Sequence, residues 1–91
     1  MHLHKIFRNI KKEYKKHAFS DLSFNSKTCK NGSIFFAIKG KNYNGNKFIE
    51  EAIARGAKTI INNKFEGFKG NVLFLKHSNP RHLMAIAANN F

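Results

Sequence analysis

The loop GKNYNGN, from Gly40 to Asn46, contains the residues of this sequence best suited to hold a ligand. It follows the apolar run IFFAI and leads into an amphipathic segment. Backbone amides near a helix start and the cation of Lys41 could therefore meet a phosphate or another anion, while Tyr43 could stack on a ring. Glycine and asparagine are also common in turns, so the residues alone leave ligand binding and an ordinary surface turn both open.

Residues for acid–base, metal or nucleophilic chemistry form no recognisable set. None of the 5 acidic residues makes a marked pair, and the 5 histidines lack ligand-like spacing, so we expect no metal site. The single Cys29 lies near Lys27 and Lys30, which could lower its pKa, but no base is assigned to it and a structural or incidental role is preferred. No GxxxxGK[ST] or GxGxxG loop is present, so we expect no cofactor bound by this chain itself.

Apolar periodicity predicts the elements that position the loop. We predict strands at 19–24, 34–38, 59–61 and 71–75, a loop at 62–70, and helices over 1–18, 46–56 and 80–91. Asn46 is the predicted N-cap of the second helix and Gly56 its C-cap, while Ser78 or Asn79 precedes Pro80 at the start of the third. The third helix should pack through Leu83, Ile86, Ala87 and Phe91.

Strand–helix–strand passages of this kind favour right-handed crossovers and a largely parallel sheet. The predicted fold class is α/β, a small three-layer domain at 19–91 with helices flanking the sheet, preceded by a basic amphipathic helix at 1–18. Ligands of such sheets bind beyond the carboxyl ends of the strands, which is where GKNYNGN follows the interior strand.

The formal charge is +12, from 17 Lys+Arg against 5 Asp+Glu, and such a balance can indicate a polyanion partner. The excess is nearly all lysine, which together with Asn, Ile and Phe is typical of A- and T-rich codon usage, so we prefer that interpretation. One cysteine fits a reducing compartment. Without an apolar run of roughly 20 residues or a signal peptide, we expect a cytoplasmic protein with no membrane contact.

The segment NSKTCKNGSIFFAIKGKNYNGNKFIEEAIARGAKTII resembles the opening domain of the Mur ligases. That domain has an Asp-Ser-Arg triplet, a Phe-Val-Ala-Leu-like strand, Gly-x-x-x-Asp-Gly, then Phe-Ile and Ala-Ile before Gly-Ala. SNPRHLMAIAANNF is similar to the helix that closes this domain in the MurE type, the UDP-N-acetylmuramoyl-tripeptide synthetases. The resemblance covers residues 19–91.

The resemblance implies that this domain holds the UDP end of UDP-N-acetylmuramoyl-L-alanyl-D-glutamate. The whole ligase would activate a carboxylate as an acyl phosphate, which the amine of diaminopimelate or lysine attacks; ATP and Mg²⁺ would act through a central domain that these residues lack. The remaining domains of the ligase are thus expected partners, and the chain alone is not expected to be catalytically competent.

The resemblance, applied position by position, implies a UDP site made of Phe24, Ser26, Lys41, Asn42 and Tyr43. The resemblance implies that Ser26 donates or accepts a hydrogen bond, Lys41 offsets diphosphate charge, and Asn42 reads the uracil edge. Tyr43 would pack against a ring.

Three positions depart from the family pattern. Asn25 and Lys27 replace the Asp and Arg beside the serine, and Asn44 stands where Asp is usual. Lysine lacks the planar fork of arginine, so these changes leave the strength of UDP binding open.

Two alternatives to a ligase domain remain from the sequence. One is a stand-alone basic nucleic-acid-binding module, with nucleic acid the less favoured partner, and the other is a non-catalytic relic. The chain ends at Phe91, where the family continues toward its ATP-binding loop. We therefore expect a ligase fragment, a truncated product or a separate binding module.

Overall fold

The computed structural model describes residues 2–3, 7, 10–14, 17–37 and 45–90. The strands are β1 (Leu22–Ser23), β2 (Ile34–Phe36), β3 (Thr59–Asn62), β4 (Gly67–Lys69) and β5 (Val72–Lys76). The α-helices are α1 (Ile49–Ala54) and α2 (Pro80–Asn90), and short 3-10 helices lie at Lys12–Tyr14, Ser26–Thr28 and Gly45–Phe48. Within these residues no helix is long and apolar enough to cross a membrane.

The five strands form one sheet in the order β1-β2-β3-β5-β4. The pairs β1–β2, β2–β3 and β3–β5 are parallel, with Ile34 of β2 opposite both Leu22 and Thr59. Only β4 runs antiparallel to its neighbour β5. The predicted largely parallel sheet is confirmed, and β2 is the interior strand that its unbroken apolar sequence indicates.

Side chains alternate between the two faces of the sheet and build two apolar clusters. On β2, Ile34 and Phe36 face one cluster and Phe35 faces the other, and all three are fully buried. The first cluster includes Leu3, Phe7 and Tyr14 of the N-terminal segment and Ala87 of α2; the second includes Ala52 of α1 and Ala57. The sheet therefore lies between α1 on one face and α2 with the N-terminal segment on the other.

The loop predicted at 62–70 was wrong at two places, because Asn62 is the last residue of β3 and Gly67–Lys69 form β4. β4 has a single large apolar residue, Phe68, between a glycine and a lysine, which gives no alternation to detect. Its pairing is set by the hairpin: Gly70 adopts φ +62° and returns the chain onto β5.

The N-terminal segment differs from the continuous helix predicted over 1–18. Its described residues include the 3-10 helix at Lys12–Tyr14 and a bridge between His2 and Ala18, while Phe7 and Ile10 lie outside any helix. Residues 4–6, 8–9 and 15–16 fall outside the described part. The apolar side chains of Leu3, Phe7 and Tyr14 are nonetheless buried, as their spacing indicates.

The predicted start of the second helix at Asn46 is displaced. A 3-10 turn occupies Gly45–Phe48, and α1 begins only at Ile49, with Phe48 at the N-cap and no side-chain cap bond. The 3-10 turn leads directly into α1, which moves the first α-helical turn toward the C-terminus. The predicted end of this helix at Gly56 is confirmed, since Gly56 follows α1 with φ +113°.

The third helix begins as predicted. Pro80 is its first residue, and Asn79 Oδ1 accepts the backbone N–H of His82 at 3.1 Å. Ala87 is fully buried, but Ile86 is 40% exposed and does not join the packed face expected of it. Phe91 lies outside the described residues.

Candidate functional site

The carboxyl ends of β1, β2, β3 and β5 lie at one edge of the sheet, because these strands are parallel. β1 runs into the 3-10 helix Ser26–Thr28, and β2 runs toward the predicted binding loop. Phe24 and Ser26 are thereby placed at this edge. Lys41, Asn42 and Tyr43 lie outside the described residues, so their roles stay predictions.

Asn25 holds the turn that carries Ser26. Its side-chain oxygen accepts the backbone N–H of Lys27 at 2.9 Å, which caps the 3-10 helix. Its backbone carbonyl accepts the hydroxyls of Ser23 at 2.8 Å and Thr28 at 2.9 Å, and the N–H of Thr28 at 3.0 Å. These four hydrogen bonds, with a longer one from Cys29 Sγ to the same carbonyl at 3.8 Å, define the conformation of the turn.

Ser26 is 2% exposed, and its hydroxyl donates to Glu51 Oε1 at 2.6 Å. Glu51 belongs to α1, and its other oxygen lies 3.8 Å from Arg55. A hydroxyl has one proton and two lone pairs. With its proton directed to a carboxylate, Ser26 keeps only acceptor capacity for a ligand N–H.

Phe24 supplies apolar surface at the same edge. Its side chain is 46% exposed, and its ring lies 5.6 Å from that of Phe36, tilted by 52°. The contact with Phe36 packs part of the side chain, and about half of it stays exposed. A half-exposed, supported aromatic ring is suited to packing against a flat ligand group.

Cys29 has no sign of a reactive thiolate. The residue is buried, and burial raises the pKa of its thiol. Among the described residues, no three His, Cys, Asp or Glu side chains come together as a metal site would require.

Residues 19–91 match the family described as Mur ligase family, catalytic domain. This chain belongs to the Mur ligase family. Two relatives are named UDP-N-acetylmuramoyl-L-alanyl-D-glutamate--2,6-diaminopimelate ligase. The Rickettsia montanensis protein is 34% identical over 97 residues, covering 90% of this chain and 20% of the relative. The Rickettsia rickettsii protein is 44% identical over 69 residues, covering 75% of this chain and 14% of the relative.

Solved Mur ligase structures share the fold. MurF from Acinetobacter baumannii superposes with a TM-score of 0.66 at 17% identity, covering 79% of this chain and 15% of that one. MurF from Thermotoga maritima, in complex with ADP, gives a TM-score of 0.55 at 31% identity over 70% of this chain and 15% of the other. The chain thus spans only a minor part of the length of the Mur ligases it matches.

Sequence patterns do not single out Glu51 as part of this candidate site. Its position early in a helix indicates a favourable interaction with the helix dipole, and 25 positions separate it from Ser26. Only the strand order could have indicated Glu51, because the helix that follows β2 starts at the same sheet edge as the turn that follows β1. Glu51 thereby links the two elements that border the candidate site.

Proposed function

We propose that this chain is the part of an ATP-dependent ligase that binds the UDP end of UDP-N-acetylmuramoyl-L-alanyl-D-glutamate. The ligase would add 2,6-diaminopimelate to this peptidoglycan precursor. The supporting observation is that relatives matching 90% and 75% of the chain bear that ligase name. Their name favours diaminopimelate over lysine, which the sequence pattern leaves open.

In this proposal the chain's own residues bind and orient the nucleotide. The ring of Phe24 packs against the uridine, and Ser26, with its proton directed to Glu51, accepts a ligand N–H. Lys41 offsets diphosphate charge. Asn42 and Tyr43 complete the uridine contacts.

Bond formation belongs to other parts of the proposed ligase. ATP and Mg²⁺ would supply carboxylate activation there, and the amine of diaminopimelate would then form the amide. The proposed location is the cytoplasm, where ATP is available.

The test is an NMR titration of the ¹⁵N-labelled chain with UDP and with UDP-N-acetylmuramoyl-L-alanyl-D-glutamate. We expect saturable shifts at the amides of residues 24–28 and 40–46. Lys41→Gln should weaken binding about tenfold, because it removes a charge-assisted contact with the diphosphate. Lys64→Gln makes the same change in the loop before β4 and should leave affinity unchanged.

The absence of a saturable shift for both ligands up to ~5 mM would refute the proposal. Unrelated RNA or DNA forms the second arm of the experiment. Binding of these oligonucleotides that weakens steeply with added salt, with no response to UDP, would instead support the nucleic-acid-binding alternative.

A further inference from the structure

A cleft of about 610 Å³ opens on the sheet face that carries α2 and the N-terminal segment. Its walls come from that segment, the loop before β4, the end of β5 and the first turns of α2. The volume lies within the range of small-molecule sites. Neither Phe24 nor Ser26 lines it, and the proposed UDP site at the end of β1 makes no use of it.

The floor of the cleft is apolar. Phe7 and Leu75 are 7% and 9% exposed and present the inner surface, while Leu83 and Ile86 of α2 form one side. Ile86 is 40% exposed and so contributes uncovered apolar surface to this lining. The cleft therefore offers uncovered apolar area for the hydrocarbon part of a ligand.

The rim of the cleft is cationic. Glu66 is the one acidic group among its described lining residues, and its carboxylate lies 2.8 Å from Lys11 Nζ. The hydrogen bond from Lys11 lowers the pKa of Glu66, and burial opposes this shift. The charges of Lys11 and Lys76 and the backbone N–H of Lys76 also lower it. Both Lys11 and Lys76 act on Glu66, and two ammonium groups against one carboxylate leave the rim with net positive charge.

His77 adds a hydrogen-bond donor beside Lys76. Its Nδ1 accepts the backbone N–H of Asn79 at 2.9 Å. The proton of the neutral ring must then lie on Nε2, which is a donor. An ammonium group and an imidazole N–H on adjacent residues suit an anionic oxygen ligand.

We propose that this cleft binds a small amphipathic organic anion. The apolar body lies against Leu83 and Ile86, and the carboxylate head lies beside Lys76 and His77. The apolar floor selects for hydrocarbon, and the rim selects against cations.

Hexanoate and hexylamine are the probes, since they share a chain length and differ in the sign of the head group. Titrated into the ¹⁵N-labelled chain, hexanoate should give saturable shifts at the amides of His77, His82 and Leu83. Hexylamine should bind at least about fivefold more weakly. No saturable response to hexanoate below ~10 mM, or an equal response to both probes, would overturn the proposal.

Two variants separate this site from general attraction to a basic protein. Lys76→Glu should weaken hexanoate binding about fivefold, and Ile86→Asp should do so at least as strongly. Lys47→Glu is the matched control, because it makes the same charge change at an exposed position that does not line the cleft. Equal weakening by the substitutions at 47 and 76 would show attraction by net charge alone and would refute a specific site. Far-UV circular dichroism verifies that each variant is folded.

Discussion

Replacing Gly56 with alanine is expected to destabilise the domain strongly. Gly56 ends α1 with φ +113°, a conformation that side-chain-bearing residues rarely adopt. A Cβ at this position would lie 2.7 Å from Asn31 Cα, 2.8 Å from Asn31 N and 3.0 Å from the carbonyl carbon of Lys30. These are backbone atoms, so no side-chain rotation can relieve the contacts.

The size of the effect follows from two contributions. A left-handed conformation costs a non-glycine residue about 1–2 kcal/mol. Overpacking against fixed atoms adds about 1–3 kcal/mol, and the free energy of unfolding should therefore fall by about 3 kcal/mol in total. With an unfolding entropy of about 2.1 cal/mol/K per residue, 91 residues give a Tm decrease of about 15 °C.

A backbone shift would not avoid this cost. The carbonyl of Gly56 accepts the N–H of Gly32 at 2.8 Å, which joins the end of α1 to the turn before β2. Moving the two segments apart to admit a methyl group would lengthen that hydrogen bond. Relieving the steric clash would therefore weaken this hydrogen bond.

Thermal unfolding followed by far-UV circular dichroism measures the effect, with Gly70→Ala as the matched control. Gly70 has φ +62°, and in the described structure no heavy atom beyond its two chain neighbours lies within 4 Å of the position that a Cβ would take. Only the conformational cost of about 1 kcal/mol therefore applies. The control should lose about 5 °C. If the Gly56 variant melts within about 3 °C of the Gly70 variant, the steric argument is refuted.

Three further outcomes are expected. Ser26→Ala should lower stability by about 1 kcal/mol in urea unfolding, because it removes the hydrogen bond to a carboxylate that is partly solvated; an unchanged midpoint would contradict the role of Glu51 as its partner. The pKa of Glu66 is lowered by Lys11, so its stabilising effect is present above the ordinary value of 4.5 and is lost as pH falls through the lower folded value. The Tm difference between the unmodified chain and Glu66→Gln should thus be present at neutral pH and vanish in acid, and a pH-independent difference would count against the ion pair. Burial raises the pKa of Cys29, so a thiol reagent should label the folded chain at least about tenfold more slowly than the urea-unfolded chain, and equal rates would show an accessible thiolate.

The interior of the sheet is predictable from the sequence because burial on both faces demands continuous apolar runs. The runs in β2 and β5 meet that demand, and β3 has a shorter one of two isoleucines; turns bound these strands. The start of α2 is equally local, since Asn79 and Pro80 define it within two residues. The interior strands and the start of α2 could therefore be predicted, because neighbouring residues determine them.

Features determined by distant contacts were not recovered. β4 is a strand because its hairpin returns it to β5, and Phe68 alone provides too little pattern to indicate this. The start of α1 was missed for a different, local reason, because the 3-10 turn directly before it was not anticipated. In the candidate site, Phe24 and Ser26 are placed by the end of β1, whereas Glu51 reaches Ser26 only through the packing of α1 on that edge.

Two departures from the Mur ligase pattern, Asn25 and Lys27, flank Ser26. The side chain of Asn25 accepts a hydrogen bond from the backbone N–H of Lys27, a task that requires an oxygen atom and no charge. An amide therefore serves the turn as a carboxylate would, and the position of Ser26 is retained. Lys27 is exposed, so exchanging an arginine fork for an ammonium group leaves the fold intact. Any loss from these two changes should thus appear in ligand affinity, because the turn that presents Ser26 does not depend on their charge.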